Sequence, residues 1–397
     1  MGSCHSTNTI VSLNSNKVND AKDVAFVTVT TSNFAYRAFA LMDSVSKYVP
    51  QATQLICSAD GDLSNWNPCD RSVVVLDSKR ISVPRYPQLV FGLNPTGVCC
   101  LLKPFAVLKA LELPNIRRVV YLDNDIGLFG SPSDLLEKLR SHSFVLTPHH
   151  LGPLPETARP NESVLFTYGT YNAGLFAVAN CTEAKTFLGW WANWLTDPRH
   201  LKRHNGYDQV WLNYVPVMCD GSAILRHPGY NVAFWNLCER DLHLSDDRPY
   251  CKDKPLIAYH FSNFDESRPG DILPDDLVSN CPRGTATRWL ANHIANDWNR
   301  FRTLNDRNLN YVFSLWTDGV AIKEEERERA CQAWDSLPPD FDPWTADGAD
   351  CIDGPFVEFK SRSNVPLKKI RQRKWIDSAL DLSARKLLAR VKRFRAI

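Results

Sequence analysis

Residues 1–22 are rich in Ser, Asn, Thr and Lys, a composition expected to stay disordered. Beyond them the text changes to short apolar runs divided by stretches of helical spacing. "DVAFVTVTT" (23–31) is β-branched and apolar, the pattern of a strand buried on both faces. "FAYRAFALMDSVSKYV" (34–49) then carries its apolar residues at helical intervals. "QLICSAD" (54–60) and "RSVVVLD" (71–77) predict two more strands, "CCLLKPFAVLKALEL" (99–113) a helix and "RRVVYLDND" (117–125) the next strand. Strands alternating with helices predict a parallel, Rossmann-like α/β sheet over residues 23 to about 150. Such sheets bind ligands beyond the carboxyl ends of their strands.

The second half is more mixed. "FVLTPHH" and "YNAGLFAVAN" predict strands, and "TEAKTFLGWWANWLTD" (182–197) an amphipathic helix whose Trp190, Trp191 and Trp194 are expected to pack. "GYDQVWLNYVPVM" begins a helix or turn, and "PLIAYHFSNF" (255–264) is a strand ending near His260. After about residue 283 the text turns helical, then through "KEEERER" into a Pro/Asp-rich stretch from Pro338 to Pro355. The boundaries expected are a disordered segment 1–22, a main α/β domain 23–285, a helical and Pro/Asp-rich extension 286–359 and a basic tail 360–397.

Composition changes this picture in two ways. The formal net charge of the 397 residues is only +2, which argues against nucleic acid as a partner. Residues 360–397 hold 13 Lys/Arg against 2 Asp/Glu, so a tail of +11 follows a body of −9. In that tail Ile376, Leu380, Leu387, Leu388, Val391 and Phe394 recur near helical spacing with cations between them. This suits an interfacial helix on anionic lipid, or equally a terminal helix docked on the domain. The 12 cysteines include no C-x-x-C pair and imply no zinc or disulfide framework, as in reduced cytosolic proteins. No run of about 18 apolar residues is present, and the polar N-terminus is not expected to act as a secretory leader. The sequons at Asn161 and Asn180 and the acylation-like Met1-Gly2 with Ser6 and Cys4 are therefore read as chance matches. A cytoplasmic protein is expected, with peripheral membrane contact in the first of the two readings of its tail.

The candidate chemistry lies in "RRVVYLDNDIGLFG" (117–130). Residues two apart on a strand share a face, so Asp123 and Asp125 are expected to project together, with Asn124 opposite. Two unit charges about 5 Å apart repel by roughly 3 kcal/mol at an effective dielectric of about 20. Burying both requires a shared proton or a cation. Mg²⁺ or Mn²⁺ takes carboxylate oxygens and keeps positions open for phosphate oxygens, so a metal–diphosphate site is the physical expectation.

"VVYLDNDIGLFG" resembles the Asp-x-Asp strand of nucleotide-sugar glycosyltransferases of the GT-A fold, particularly the glycogenin-like and bacterial galactosyltransferase-like family eight. Further segments fall in that family's order over roughly residues 24–270. "FVTVTTSNFAYRAFALMDSV" resembles its first strand and helix, which implies that Thr31 and Phe34 hold the nucleotide base. "LLKPFAVLKAL" is similar to the helix whose basic residue faces the donor, here Lys103. "TYNAGLFAVAN" resembles the strand bordering the donor sugar, giving Asn172, Ala173 and Gly174; Asn124 is counted with these donor-binding residues. "YDQVWLN" is similar to the segment beside the anomeric carbon, giving Asp208 and Gln209 as catalytic residues. "YHFSNF" resembles the strand carrying the third metal ligand, giving His260 beside Asp123 and Asp125. "HPGYNVAFWNLCER" (227–240) and "HFSNFD" also resemble a group of bacterial glycosyltransferases with "PGYNVAYWNLHER" and "HFSGFDP".

The resemblance implies a GT-A, Rossmann-like nucleotide-diphospho-sugar transferase with a mixed central sheet and a helical C-terminal extension. It implies a Mn²⁺ or Mg²⁺ cofactor, a UDP-sugar donor and a glycan, lipid-linked or cell-envelope acceptor. Gln209 has no useful basicity and could only stabilise or orient the sugar, whereas Asp208 could act as acid/base or electrostatically. His149 and His150 could reach the donor or the acceptor. Two departures stand out: Asn263 replaces the family's glycine with no diphosphate lysine after it, leaving Arg268 as the nearest cation, and Val210 replaces a second aspartate. A catalytically silent sugar-binding relative is the alternative. A sugar nucleotidyltransferase would need a Gly-rich loop after strand one, which "TTSNFAYR" lacks.

Overall fold

The run Val24–Thr30 is buried at all seven positions, as its β-branched text requires, and forms the central strand of the main sheet. The computed structural model describes residues 21–61, 63, 72–156, 158, 160–203, 208–267, 272, 284–304, 310–315, 321–332 and 334–336. The N-terminal segment, Arg268, the stretch 338–355 and the basic tail lie outside the described residues, apart from residues 21 and 22 of the first.

In chain order the elements are β1 (Val24–Thr30), α1 (Ala35–Tyr48), β2 (Thr53–Ser58), β3 (Val73–Asp77), α2 (Tyr86–Gly92), α3 (Pro95–Leu111), β4 (Arg118–Leu122) and β5 (Ile126–Leu128). Next come α4 (Ser133–Lys138), β6 (Phe144–Pro148), α5 (Glu162–Tyr168), β7 (Tyr171–Ala179), α6 (Thr182–Leu195), α7 (Pro198–Arg203), α8 (Val215–Met218) and β8 (Ser222–Ile224). The last are α9 (Leu237–Arg240), β9 (Leu242–Ser245), β10 (Arg248–Cys251), β11 (Lys254–Pro255), β12 (Ala258–His260), α10 (Thr285–Thr303) and α11 (Glu324–Gln332).

The seven-stranded sheet runs β3-β2-β1-β4-β7-β6-β8. Its first four strands are parallel, as the alternating text predicts. Up to residue 150 the strands of this sheet all run in one direction, β6 included, and the later β7 inserts antiparallel between β4 and β6. The sheet is therefore mixed, and the fold is the α/β architecture expected from the resemblance. A two-stranded ribbon pairs β5 with β12, and β9–β11 form a small antiparallel sheet.

Local chemistry sets the helices that frame the site. Asn94 caps α3 by accepting the Gly97 N–H at 2.8 Å, with Pro95 in the first turn where its missing N–H costs nothing. The long α10 buries Leu290, Ala291, Ile294, Trp298 and Phe301, and packs against α1. Trp191 of α6 is fully buried against Phe176 and Phe187, whereas Trp190 and Trp194 stack on each other beside Trp211. The cysteines of the described residues are free thiols, and no helix among those residues is long and apolar enough to cross a membrane.

Candidate active site

β4 stops at Leu122, so the two aspartates do not sit on a strand. Asp123, Asn124 and Asp125 form a turn, closed by the Ile126 N–H donating to the Asp123 carbonyl at 3.0 Å. The carboxylates converge through that turn rather than by strand pleat. Asn124 explains why the turn holds its shape: its amide donates to Thr30 Oγ1 at 2.9 Å, tying the turn to the carboxyl end of β1.

β5 then pairs antiparallel with β12, with His260 opposite Ile126. This register brings His260 Nε2 to 3.1 Å from Asp125 Oδ1 and 4.0 Å from Asp123 Oδ2. One ligand atom from each of the three residues lies within 4.8 Å of the others. His260 Nδ1 meets Asn231 Oδ1 at 3.2 Å, and the Asn231 amide donates to Thr147 Oγ1 at 3.2 Å. Such an outer partner fixes the ring and turns Nε2 toward the carboxylates. Burial pushes the His260 imidazole down, but Asp125 beside it wins and raises it. Burial conversely pushes the Asp125 carboxyl up, and His260 brings it net below its ordinary value.

Gly174 forms one wall of this cluster. A Cβ there would fall 2.4 Å from His260 Cε1, 2.8 Å from Asn172 Oδ1 and 2.9 Å from Asp123 Oδ2, so any side chain would displace these groups. Two carboxylates and one imidazole, beside a wall without a side chain, form a donor set that could hold a divalent cation.

Below the aspartates lies a buried charge relay. Lys103 Nζ stands 3.0 Å from Asp123 Oδ1 and 3.2 Å from Asp208 Oδ2, and Tyr121 donates its hydroxyl to Asp123 at 2.9 Å. Lys103 is itself buried, so it neutralises the pair from within the protein rather than lining an open cleft. Burial disfavours its charge, yet Asp123 and Asp208 together hold its pKa well above the lysine range. Burial outweighs Lys103 at Asp208 and leaves that carboxyl raised. The Trp191 indole donates to the Asp208 carbonyl at 3.2 Å and holds the segment in place.

Asn172 links the remaining residues. Its amide nitrogen lies 3.1 Å from Gln209 Oε1 and 3.2 Å from His149 Nε2, and its oxygen accepts the Gly174 N–H at 2.9 Å. Gln209 Oε1 also accepts the Ala173 N–H at 3.4 Å. Burial drives the His149 imidazole down to about 4, and the neutral ring can accept from Asn172. His150 points elsewhere, 3.7 Å from Glu239. A cavity of about 310 Å³ opens beside both histidines, lined also by Leu151, Pro153, Leu165 and Phe166.

At the end of β1, Thr31 is buried and donates to Asn33 Oδ1 at 2.7 Å, and Phe34 packs under the Arg37 guanidinium. Sequence reading missed three groups here. Asp60, at the end of β2, accepts the Ser32 N–H at 2.7 Å, the Ser32 hydroxyl at 2.8 Å and the Val312 N–H at 2.9 Å. Asn231 lies within the quoted "PGYNVAFWNL", but nothing in that text signals its bond to His260. Arg37 carries no motif at all. Asn263, where the family has glycine, adopts a left-handed φ of 60°, a conformation that asparagine tolerates better than most residues.

No protein-family model matches the chain. It is 24% identical over 253 residues to the uncharacterized protein YfnF of Bacillus subtilis (strain 168), covering 60% of this chain and 81% of that one. It is 25% identical over 171 residues to YfnD of the same organism, covering 42% of this chain and about half, 53%, of the relative. Among solved structures it is similar to the galactosyltransferase LgtC in complex with donor and acceptor sugar analogs, at 15% identity and a TM-score of 0.44, over 71% of this chain and 98% of that one. It is also similar to the glycosyltransferase GlyE of Streptococcus pneumoniae TIGR4, at 15% identity and a TM-score of 0.41, over 74% of this chain and 67% of that one.

Proposed function

We propose that this chain is a metal-dependent glycosyltransferase that moves a sugar from a nucleotide-diphosphate donor, UDP-linked by the family resemblance, to a hydroxyl of a glycan, lipid-linked or cell-envelope acceptor. One observation carries the proposal: Asp123, Asp125 and His260 converge at the carboxyl edge of the parallel strands, with Gly174 leaving room beside them. Asp123, Asp125 and Asp208 outnumber Lys103 in this cluster, an excess of acidic groups that a divalent cation offsets. When bound, the ion would neutralise charge developing on the departing diphosphate.

The chain's own residues do the rest. Thr31 and Phe34 hold the base at the end of β1, and Asn124 fixes the metal turn against that strand. Asn172, Ala173 and Gly174 border the donor sugar, and Gln209 is pinned to them by its side-chain oxygen. Gln209 orients the sugar and faces the positive charge that grows as the bond to the diphosphate breaks. Asp208, fixed by Lys103 and Trp191, adds negative potential beneath the same centre. The acceptor oxygen bonds to the anomeric carbon as the diphosphate leaves with the bonding electron pair, and the acceptor proton passes to the leaving group or solvent.

Nucleotide-sugars should be screened for Mn²⁺-dependent thermal stabilisation, then assayed for hydrolysis and transfer, because a ligand of the native state raises its melting point. Asp125→Ala should abolish metal-dependent turnover while far-UV circular dichroism stays unchanged. Full activity in that variant would refute the metal site. Stabilisation with no turnover of any donor would identify the silent sugar-binding alternative.

A further inference from the structure

Three described aromatic and charged layers meet beside the Asp125 turn. The Asp125 carbonyl accepts the Phe261 N–H at 2.8 Å, and the Phe261 ring meets Trp298 of α10 edge-on at 6.0 Å. Arg37, in the first turn of α1, lies between Trp298 and Phe34, with its guanidinium carbon 4.2 Å and 4.3 Å from the two ring centres. This sandwich removes the conformational freedom that an arginine ordinarily has. Glu266 completes the arrangement: it accepts Arg37 Nε at 3.1 Å, the Tyr36 hydroxyl at 2.6 Å, and ion-pairs with both Arg37 and Arg302.

Charge counting gives this cluster a purpose. Two guanidinium groups share one carboxylate, so one positive charge remains. Arg37 Nη1 makes no hydrogen bond among the described residues, whereas Nε and Nη2 both bond Glu266. The cluster stands at the amino end of α1, whose 14 residues add a favourable dipole for an anion. Lys103, by contrast, is consumed by Asp123 and Asp208. A nucleoside diphosphate leaving group carries more negative charge than a divalent cation held by two aspartates can offset.

We propose that Arg37 is the diphosphate-binding cation of this site, clamped by Phe34 and Trp298, anchored by Glu266, and presenting its Nη1 edge to the donor. This rests on the glycosyl-transfer reading above. Glu266 and Arg302 position the guanidinium without touching the ligand.

The test compares uridine with UDP, both in saturating Mn²⁺, by calorimetric titration of the full chain. Arg37→Ala should weaken UDP by about tenfold or more, because a charge-assisted contact from Nη1 is lost, and leave uridine within about twofold. Arg37→Lys should restore part of the UDP affinity. Removing Arg37 strips Glu266 of a partner, so Arg37→Ala/Glu266→Gln guards against misfolding and should show the same selective loss. Raising the salt should narrow the gap between wild type and Arg37→Ala for UDP only. Equal losses for uridine and UDP would assign Arg37 a merely structural role and overturn the inference, as would no loss for either. A wild-type chain that binds neither ligand sinks the glycosyl-transfer reading, and this inference with it. One that binds both, with no selective loss in the variants, sinks Arg37 alone.

Discussion

At the scale of single residues, the site is defined by what does not fit as much as by what binds. Gly174 is the sharpest case, since a methyl there would overlap His260 and crowd Asp123. Gly174→Ala should cost about 1–3 kcal/mol through overpacking, and it should weaken Mn²⁺ binding by about tenfold while β7 persists. A Mn²⁺ titration followed by thermal stability checks this, and an unchanged affinity would remove Gly174 from the metal wall. His149 gives a pH signature. Its imidazole falls from an ordinary 6.5 to about 4 through burial. Above pH 6.5 the ring is neutral in both folded and unfolded chains, and it contributes nothing to pH dependence. As pH falls from 6.5 to 4, the unfolded chain takes up a proton that the folded one refuses, so stability drops by up to about 3 kcal/mol. His149→Gln keeps an acceptor for Asn172 without titrating. Urea unfolding between pH 4 and 7 should show its acid slope shallower by about one proton, and an unchanged slope would refute the assignment.

At the scale of elements, the strands and helices around the site were legible because their text is locally unambiguous. Val24–Thr30 is β-branched, and α1 and α6 carry helical spacing. What the text could not reveal is partnership. Nothing in "YNAGLFAVAN" says that β7 runs antiparallel to β4, and nothing in "YLDND" says that the strand ends before the first aspartate. Order along the chain offers Lys103, Asn172 and His260 as candidates, but not Asn231 or Arg37. Their roles come from contacts made across packed elements, namely β12 for Asn231 and α10 for Arg37. The charged run "KEEERER" misleads in the same way, since charge suggests a solvated face and Arg327 within it is buried. Its Nη1 donates to the carbonyls of Val90 at 3.2 Å, Phe91 at 2.9 Å and Leu93 at 2.9 Å, and its Nη2 to Phe313 at 2.6 Å. These carbonyls include the last ones of α2, which have no intrahelical partner. Arg327→Met should therefore destabilise by about 3–5 kcal/mol, and Arg327→Lys by less, because lysine reaches fewer of the four acceptors. Denaturant midpoints measured at constant slope decide it, and a loss under about 1 kcal/mol for Met would show that water replaces the guanidinium.

At the scale of the whole molecule, charge is divided rather than balanced. The −9 body and the +11 tail nearly cancel, so the net charge of +2 conceals a strong asymmetry. A basic residue near an anionic leaflet contributes about 1 kcal/mol, and the attraction fades within a Debye length of about 8 Å at physiological salt. Engagement of only three tail cations would thus change binding by about a hundredfold. As an interfacial helix, residues 360–397 would hold the protein at an anionic surface, where a lipid-linked acceptor would be presented at high local concentration. A tail docked on the body instead would have its charge offset by the protein's own carboxylates, and vesicles would gain little from it. The two cases separate in sedimentation with vesicles of phosphatidylcholine alone and with added phosphatidylserine. The full chain should bind the anionic vesicles about a hundredfold better than a protein ending at residue 359, lose that advantage as salt rises, and show none on the neutral vesicles. Equal binding by both proteins to anionic vesicles would assign the tail to the body rather than to the membrane.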